Sequence, residues 1–385
     1  MRAALADSPM LDSRRSMEIA AAEDAGRADA FPDPRLTLAI DDLPVARRPA
    51  GSMGDAMPTT YRIGVMQDLP SARKRQARRQ VALARAGGAR LESEARRLAV
   101  ARAAAVAWIE RWQADRALEL LVELEEESAR VVELAGARLQ SGQDTAAEAL
   151  AAHAARVSLD NRLTEARATQ AAAHAGLARW LGEAATAREL PWPDFDRLPV
   201  GPRRLVERLE QQADLQAWAQ RETEAAAALD LARFQRRPDW RVGISYGVRD
   251  AGFPDVLMLE VGIDLPVAPR NRQDRDVAAR RHELEAVRAE REDARRSRRA
   301  LLDQTLATWR SKREQAARYR DTLLPLARDR SAVTLAAYGG GASLQPWLEA
   351  RSDEIEQRLA HLATVADQGR AWALLATLLD EGGSS

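Results

Sequence analysis

The feature that most constrains the fold is an internal duplication, in which the same short motifs recur in the same order in both halves of the chain. Each copy opens with Pro-Asp, at residues 32–33 and 238–239, and closes with Asp-Leu-Pro, at residues 68–70 and 264–266. Each is followed by a long block that is almost free of Gly and Pro. Because several unrelated features recur in order, we expect the two halves to fold as two copies of one supersecondary unit.

The duplicated motifs enclose segments that are typical of β-strands. In the second copy, apolar side chains alternate with polar or small ones along Trp240–Arg249, and residues 256–265 supply a second strand. In the first copy, residues 35–40 and 61–66 alternate in the same way. Alternation with a period of two is the pattern of a sheet with two unlike faces, so the sequence predicts two β-hairpins.

Four strands in one chain are too few for a closed barrel, since about eight strands make the smallest closed form. An open sheet with its apolar face in lipid would leave the backbone groups of its edges without partners. We therefore expect several chains to contribute their strands to one membrane barrel. A soluble hairpin packed on its own helices would be the simpler interpretation of one hairpin alone, and the repetition argues against it.

The blocks that follow the hairpins, residues 71–139 and 270–337, are rich in Ala, Arg, Glu and Leu and predict very long helices. At about 1.5 Å per residue, each would span roughly 100 Å, with a possible bend at Gly87-Gly88 and an interruption at Pro325. Four apolar residues of the first block form a narrow seam at coiled-coil spacing: Leu120, Leu124, Val131 and Leu134.

The composition excludes several functional classes. The 58 basic and 58 acidic side chains cancel, so no overall field recruits nucleic acid. The absence of cysteine excludes disulfides, thiol catalysis and thiolate zinc sites. The four histidines do not have the spacing of metal ligands: they are His153, His174, His282 and His361. The sequence also contains no phosphate-binding loop and no nucleophile elbow. The sequence therefore predicts neither an enzyme nor a cofactor or metal site.

The N-terminal residues give a different indication from the strands. The opening MRAALADSPMLDSRRS contains no apolar core of a secretory signal, and no stretch is long and apolar enough for a transmembrane helix. Taken alone, this pattern favours a cytosolic protein. This indication conflicts with the predicted membrane strands.

Four motifs give the chain a resemblance to a known family: PDPRLTLAIDDLPV, YRIGVMQDLP, RPDWRVGISYG and IDLPVAPRNRQDRDVAA. They resemble the TolC-type outer-membrane efflux channels and, within that family, the heavy-metal and cation branch of the CusC and CzcC kind. The resemblance covers nearly the whole chain. It implies a homotrimer in which four strands per chain form an outer-membrane β-barrel, continuous with a periplasmic α-helical barrel. It also implies a periplasmic adaptor, or membrane fusion, protein and an inner-membrane RND pump as partners, with this chain as a passive duct for metal cations. Precursors in that family carry a signal sequence, so the resemblance suggests a start codon placed too late or a truncated copy.

The resemblance assigns the segments of the duplication to parts of such a channel. The expected organisation is a helix at 1–31, a barrel hairpin at 32–70, a tunnel hairpin at 71–182 with its tip at 139–145, a linker at 183–200, a helix at 201–237, a second barrel hairpin at 238–266 and a second tunnel hairpin at 267–380 with its tip at 338–344.

The resemblance also implies a role for the two tips as the periplasmic entrance and adaptor contact. The candidate residues are Leu139, Gly142, Asp144, Tyr338, Gly341 and Glu349. At each tip a bulky residue lies three positions before a glycine, as in the family. Glu349 corresponds, with an offset of one residue, to the family's acidic residue near the constriction, and Asp144 is a second acidic candidate. The structural alternatives are glycines that end helices and carboxylates that serve as solvated helix caps.

Two local features suggest contacts with lipid or metal. The basic run at 73–79 suits the phospholipid head-group zone better than nucleic acid. Met53 and Met57 could contact soft metals.

Three alternative functions are compatible with parts of the sequence. They are a soluble coiled-coil scaffold, a periplasmic adaptor and a channel of the same family that carries drugs or other organic solutes. The duplicated strands argue against the first two, because neither needs a β-hairpin at matching places in each half.

Overall fold

The structure is a computed structural model, which describes residues 2–6, 8–43, 59–182, 194–249 and 252–377. The chain divides into two compact units. Unit 1 comprises residues 1–13, 94–212 and 295–385, and unit 2 comprises residues 14–93 and 213–294. No helix in the described ranges has both the length and the apolar character needed to cross a bilayer.

Helices dominate both units, and the two longest follow the strands as the sequence predicts. In chain order the elements are α1 (Arg2–Ala6), α2 (Pro9–Arg27), β1 (Arg35–Asp41), β2 (Thr60–Leu69), α3 (Ala72–Gln140), α4 (Ala146–Leu181), α5 (Pro202–Glu207), α6 (Ala213–Gln235), β3 (Trp240–Arg249), β4 (Val256–Ile263), α7 (Gln273–Arg318), α8 (Leu324–Gly339) and α9 (Gln345–Thr377). Short 3₁₀ turns lie at Leu209–Gln211 and Pro269–Asn271, and a π-helical turn lies at Tyr319–Leu323.

Helix α3 continues through Gly87 and Gly88 because the pair serves a close helix contact. A Cβ atom on Gly87 would lie 2.8 Å from the side-chain nitrogen of Gln220 in α6. That nitrogen donates a hydrogen bond to the carbonyl oxygen of Ala84 over 3.0 Å. The missing side chain therefore lets an amide from α6 reach the backbone of α3, which accounts for a glycine in a helix interior where it would otherwise be unfavourable.

The expected interruption at Pro325 takes the form of a π-helical turn. Proline has no N–H group, and its ring collides with the carbonyl one turn earlier in a regular α-helix. Residues Tyr319–Leu323 widen the helix immediately before Pro325, and α8 then continues to Gly339. The widened turn relieves the collision without ending the helical path.

The segment 201–237 is divided rather than continuous. Helix α5 and the 3₁₀ turn belong to unit 1, and α6 begins after Gln212, whose backbone is extended at φ −66° and ψ 136°. The division leaves both Leu205 and Leu209 buried in unit 1.

The predicted apolar seam of α3 is correct in its middle and wrong at its ends. Leu124 and Val131 are buried, but Leu134 is 42% exposed and Leu120 is only partly buried. The buried positions at the ends are instead Leu121 and Ala135. An alanine permits a closer approach of the neighbouring helix than leucine does, and Ala135 packs in one cluster with Ala152 of α4.

The four strands form one antiparallel sheet in the order β1-β2-β3-β4, which confirms the predicted pair of hairpins. The two copies meet where β2 pairs with β3, with Asp68 opposite Arg241 and Tyr61 opposite Val248. In the described part of the chain, β1 and β4 each have a neighbour on one side only. The sheet therefore has two open edges, one from each copy.

One face of the sheet is apolar across all four strands. The register aligns Leu38, Ile63, Tyr246 and Leu257 in one row and Leu36, Val65, Ile244 and Leu259 in the next. These side chains are exposed, with Leu38 at 73% and Leu259 at 77%. A continuous exposed apolar surface of this kind marks an interaction with a protein or a membrane.

The opposite face is polar and crowded. Arg62 pairs with Asp41 over 2.9 Å, and Arg241 pairs with Asp68 over 2.6 Å. A Cβ atom on Gly64 would lie 2.6 Å from the Cβ of Ser245, well inside the normal contact distance. We infer that the sheet curls toward its polar face, where side chains converge and glycine removes the crowding.

This crowding leads to a stability prediction. Replacing Gly64 or Gly247 with valine should destabilise the sheet by about 1–3 kcal/mol, because each new Cβ would overlap a side chain of the neighbouring strand. Gly262→Val is the matched control, since the nearest atom to its Cβ position is 3.8 Å away. Denaturant unfolding of the purified protein in detergent measures the difference, and equal losses for all three variants would contradict a crowded polar face.

The basic run after β2 is largely engaged within unit 2. The ammonium nitrogen of Lys74 lies 2.9 Å from a carboxylate oxygen of Asp239, and Lys74 is buried. The guanidinium of Arg75 stacks over the ring of Phe31 at 4.0 Å, and Arg79 pairs with Asp29. These contacts have a local structural role, so only the outward-facing members of the run remain for lipid head groups. Met53 and Met57 lie outside the described residues.

Candidate functional site

The two tips of unit 1 have the same backbone hydrogen-bond pattern. At the first tip, the N–H of Gly142 bonds to the carbonyl of Leu139, and the N–H of Gln143 bonds to that of Arg138. At the second, Gly341 and Ala342 bond to the carbonyls three and five residues earlier. Both glycines have positive φ, 74° and 103°, which is the left-handed conformation that favours glycine. The duplication thus extends to the helix-ending turns.

Helix α4 begins directly after the first tip, and Thr145 caps its N-terminus. The Thr145 hydroxyl accepts a hydrogen bond from the backbone N–H of Glu148, and the Glu148 carboxylate accepts one from the backbone N–H of Thr145. The bond from the Thr145 backbone, together with bonds from Ser343, the Thr145 hydroxyl and the Leu344 backbone, lowers the pKa of the Glu148 carboxyl. This capping box fixes where α4 starts. The carboxylate of Asp144 is therefore not the helix cap.

A buried polar cluster of three residues joins the two tips. The Arg138 Nε donates to a carboxylate oxygen of Asp144 over 2.8 Å, and the Tyr338 hydroxyl donates to the other oxygen over 2.6 Å. A second nitrogen of Arg138 donates to the carbonyl of Tyr338 over 3.0 Å, and its guanidinium lies 4.5 Å from the ring centre of Tyr338. Each polar group thus finds a partner, as burial requires.

Apolar side chains from both tips surround this cluster. The buried residues are Val131, Ala135, Ala152, Tyr338, Leu344 and Trp347. The carboxylate of Glu148 also accepts a hydrogen bond from the backbone N–H of Leu344 over 3.3 Å. Hydrophobic contacts and polar bonds together hold the end of α3 and the start of α4 against the turn between α8 and α9.

The structure changes the expected roles of two candidate residues. Tyr338 is fully buried and the side chain of Asp144 is 2% exposed, so neither side chain is available to an adaptor or to a passing ion in this chain. The expectation that they line the entrance came from the family resemblance. In this chain their side chains turn inward, because each supplies the hydrogen-bonding partner that the other needs when buried.

The remaining candidates lie on the surface. Leu139 is 38% exposed, and Gly142 and Gly341 are exposed at the turns. Glu349 is exposed on the first turns of α9, where it accepts a hydrogen bond from the side chain of Gln345 over 3.0 Å. The structure therefore brings Asp144 and Tyr338 together inside the tip and leaves these four on its outside.

The environment of Tyr338 gives a pH prediction. Burial, followed by the hydrogen bond to the Asp144 carboxylate, raises the pKa of Tyr338 from 10.0 to about 12. Between these values the unfolded chain binds fewer protons than the folded one, so the free energy of unfolding should fall as the pH rises. Tyr338→Phe should remove this part of the alkaline loss. Denaturant unfolding over that pH range measures it, and an unchanged slope in the variant would contradict the assignment.

Three residues that help to join the two tips were not identified from the sequence: Arg138, Glu148 and Trp347. Glu148 could have been found, because Thr145 followed three residues later by glutamate is the signature of a capping box. Arg138 and Trp347 carry no local signal, since their partners come from distant parts of the sequence. Among the described residues, no group of three or more His, Cys, Asp or Glu side chains could hold a metal ion.

Comparison with known proteins finds a family similarity in the first part of the chain. Residues 1–183, just under half of the chain, match the family model described as outer membrane efflux protein. This confirms the resemblance to TolC-type channels, and members of the outer membrane efflux protein family are channels rather than enzymes.

Solved structures extend the similarity in fold across the whole chain. A membrane protein from Pseudomonas aeruginosa aligns with a TM-score of 0.82 at 17% identity, covering 98% of this chain and 92% of that one. VceC from Vibrio cholerae aligns at 0.79 and 18%, covering 98% and 94%. CusC aligns at 0.78 and 15%, covering 98% and 90%. No curated protein sequence matches the chain. The efflux protein fold is thus shared with several channels.

Proposed function

We propose that this chain is an outer-membrane efflux protein, the exit duct of a tripartite RND-type efflux system, and works as a homotrimer. The observation that carries the proposal is the four-stranded sheet with two open edges and one exposed apolar face. Backbone groups at an open edge have no partner in hydrocarbon, so a sheet that enters the membrane must close on itself. Three copies would supply twelve strands, enough for a closed barrel with a polar interior.

The tips support a docking site for a periplasmic adaptor protein. The turn residues Gly142 and Gly341 are exposed, and the apolar side chain of Leu139 is partly open to solvent beside them. The Arg138–Asp144–Tyr338 cluster beneath fixes the two turns relative to each other within unit 1. A rigid pair of turns with an exposed apolar side chain suits recognition by another protein, since little ordering is needed on binding. The inner-membrane pump would be reached through that adaptor.

Heavy-metal cations are the proposed cargo, on the basis of the motifs that resemble those of the cation branch of the family. A duct needs no high-affinity metal site, so the lack of a metal-holding cluster among the described residues does not count against a cation. The exposed carboxylate of Glu349 would favour cations near the tip by simple attraction.

The function is tested by expression in a bacterium that lacks its own efflux ducts but retains an adaptor and a pump. We expect restored resistance to transition-metal salts and no change in resistance to organic drugs. Restored resistance to drugs alone would contradict metal cations as the cargo but would still support the chain as an exit duct. No resistance to either, despite correct insertion in the outer membrane, would overturn the duct.

Ion selectivity of the purified channel in planar bilayers tests the tip assignment. Glu349→Gln should lower the preference for cations, because it removes an exposed charge. Glu165→Gln is the matched control, because Glu165 is also exposed but lies in the middle of α4, away from both tips. An equal loss of cation preference in both variants would contradict a special role for Glu349 at the tip.

A further inference from the structure

We infer that β4 of one chain pairs with β1 of a second copy in the same register that joins β2 to β3 within the chain, so that Asp264 lies opposite the partner's Arg35. This inference rests on the proposed homotrimer and adds to it the register of the subunit interface and the ion pair that fixes it. The duplication has already placed one version of this interface inside the chain, where β2 pairs with β3.

The two copies share the residues that border the β2–β3 junction. Pro32, Asp33 and Arg35 precede β1 or begin it, and the same three residue types occur at the start of β3 as Pro238, Asp239 and Arg241. The ends of β2 and β4 share Asp-Leu-Pro. On this alignment, Asp264 corresponds to Asp68 and Arg35 corresponds to Arg241.

The junction inside the chain is held by charge as well as by backbone bonds. Asp68 and Arg241 lie directly opposite each other in the β2–β3 register, and their side chains meet over 2.6 Å. Just beyond the strands, Lys74 pairs with Asp239 over 2.9 Å, and the Lys74 side chain is 6% exposed. The first copy thus offers an acid at the end of its second strand, and the second copy offers the matching arginine.

The same groups remain largely open at the two free edges. Arg35 is 73% exposed, and its nearest carboxylate oxygen, on Asp68, lies 3.7 Å away. Asp264 is exposed, as are Asp33 and Arg270. Arg270 occupies the position that corresponds to Lys74, six residues after the strand-ending aspartate, and Asp33 corresponds to Asp239. Both ion pairs of the internal junction therefore have largely exposed counterparts of the right sign at opposite edges of the sheet.

The register also places apolar side chains of the two chains on the same face of the sheet. With Asp264 opposite the partner's Arg35, Ile263 lies opposite the partner's Leu36 and Val261 lies opposite the partner's Leu38. Apolar residues then meet apolar residues, and the lipid-facing surface continues across the interface. A shift by one residue would place apolar side chains against polar ones along the whole edge, which makes it unfavourable.

Cysteine cross-linking tests the register, and the natural chain contains no cysteine to interfere. Two register-matched pairs are made, Thr37→Cys with Gly262→Cys and Leu36→Cys with Ile263→Cys. Neighbouring pairs alternate between hydrogen-bonded and non-hydrogen-bonded sites, so at least one has Cβ atoms close enough for a disulfide. The shifted controls are Thr37→Cys with Glu260→Cys and Leu36→Cys with Val261→Cys. β1 and β4 are opposite edges of the sheet, so any disulfide joins two chains.

The outcomes separate the register from the proposed function. We expect oxidised membranes to give a covalent trimer on denaturing gels from a matched pair and a several-fold lower yield from the shifted pairs. Cross-linking of a shifted pair, in a protein that still migrates as a trimer before heating, overturns the register and leaves the duct intact. A cysteine-free chain that never forms a trimer overturns both.

Charge reversal gives an independent measurement. Asp264→Arg should reduce the unheated trimer band, because it places two arginines opposite each other, and Asp264→Arg combined with Arg35→Asp should restore it. Loss in the single variant without recovery in the double variant would contradict the pairing of these two residues.

Discussion

Replacing Arg138 with leucine should destabilise the tip of unit 1 by about 3–5 kcal/mol, the cost of leaving one member of a buried ion pair without its partner. The Asp144 side chain is 2% exposed, so water cannot replace the lost guanidinium. The variant also loses the bond from Arg138 to the carbonyl of Tyr338 and the stacking over its ring. Faster hydrogen exchange at the backbone amides of residues 139–146 would report the loss.

Two variants serve as controls for this prediction. Arg330→Leu breaks an ion pair with Asp353 whose side chains are 56% and 55% exposed, and it should cost no more than about 1 kcal/mol. Arg138→Leu combined with Asp144→Leu should recover part of the loss, since no charge is then left buried. If Arg138→Leu and Arg330→Leu had the same effect, the cluster would not be the element that holds the tips together.

Replacing Ile244 with arginine should prevent assembly in the outer membrane. Ile244 belongs to the exposed apolar face, and an arginine on the lipid-facing side of a membrane strand costs about 2–4 kcal/mol near the bilayer centre. In a trimer this cost would occur three times. The measured quantity is the fraction of protein recovered in outer-membrane fractions as a heat-sensitive trimer.

Ser245→Arg is the matched control, because Ser245 is the next residue of the same strand and points to the polar face. Its neighbour across the β2–β3 pairing is Gly64, which has no side chain to collide with the added atoms. We expect this variant to assemble at close to the normal level. If both arginine variants assembled equally well, the exposed apolar face would not be in contact with lipid.

The sheet could be predicted from the sequence to a large extent. Its alternating strands, its paired motifs and its two unlike faces are local features of the sequence. The alternation also specifies the register, because a shift of one residue would move the apolar side chains to the other face. The exposed apolar face then required a closed assembly, because backbone hydrogen bonds at an edge cannot be left unmade in lipid. Physical constraints that act along a single strand were therefore enough to predict the hairpins and the need for several chains in one barrel.

The interior of the tip could not be predicted in the same way. Asp144 and Tyr338 were chosen for their positions beside glycine turns, but their side chains meet across nearly two hundred residues of sequence. Leu134 was expected in the seam of α3, and it is exposed because the buried stripe passes through Ala135 instead. Which side of a helix end is covered depends on its neighbours, and the spacing of apolar residues alone does not specify them.

The central claim, that three copies share one outer-membrane barrel, is tested most directly by gel electrophoresis of the protein extracted from outer membranes in mild detergent, with and without boiling. The account predicts a band at the size of a trimer in the unheated sample and a band at the size of the single chain after boiling. A single-chain band in both samples, from protein that is folded and membrane-inserted, would contradict it.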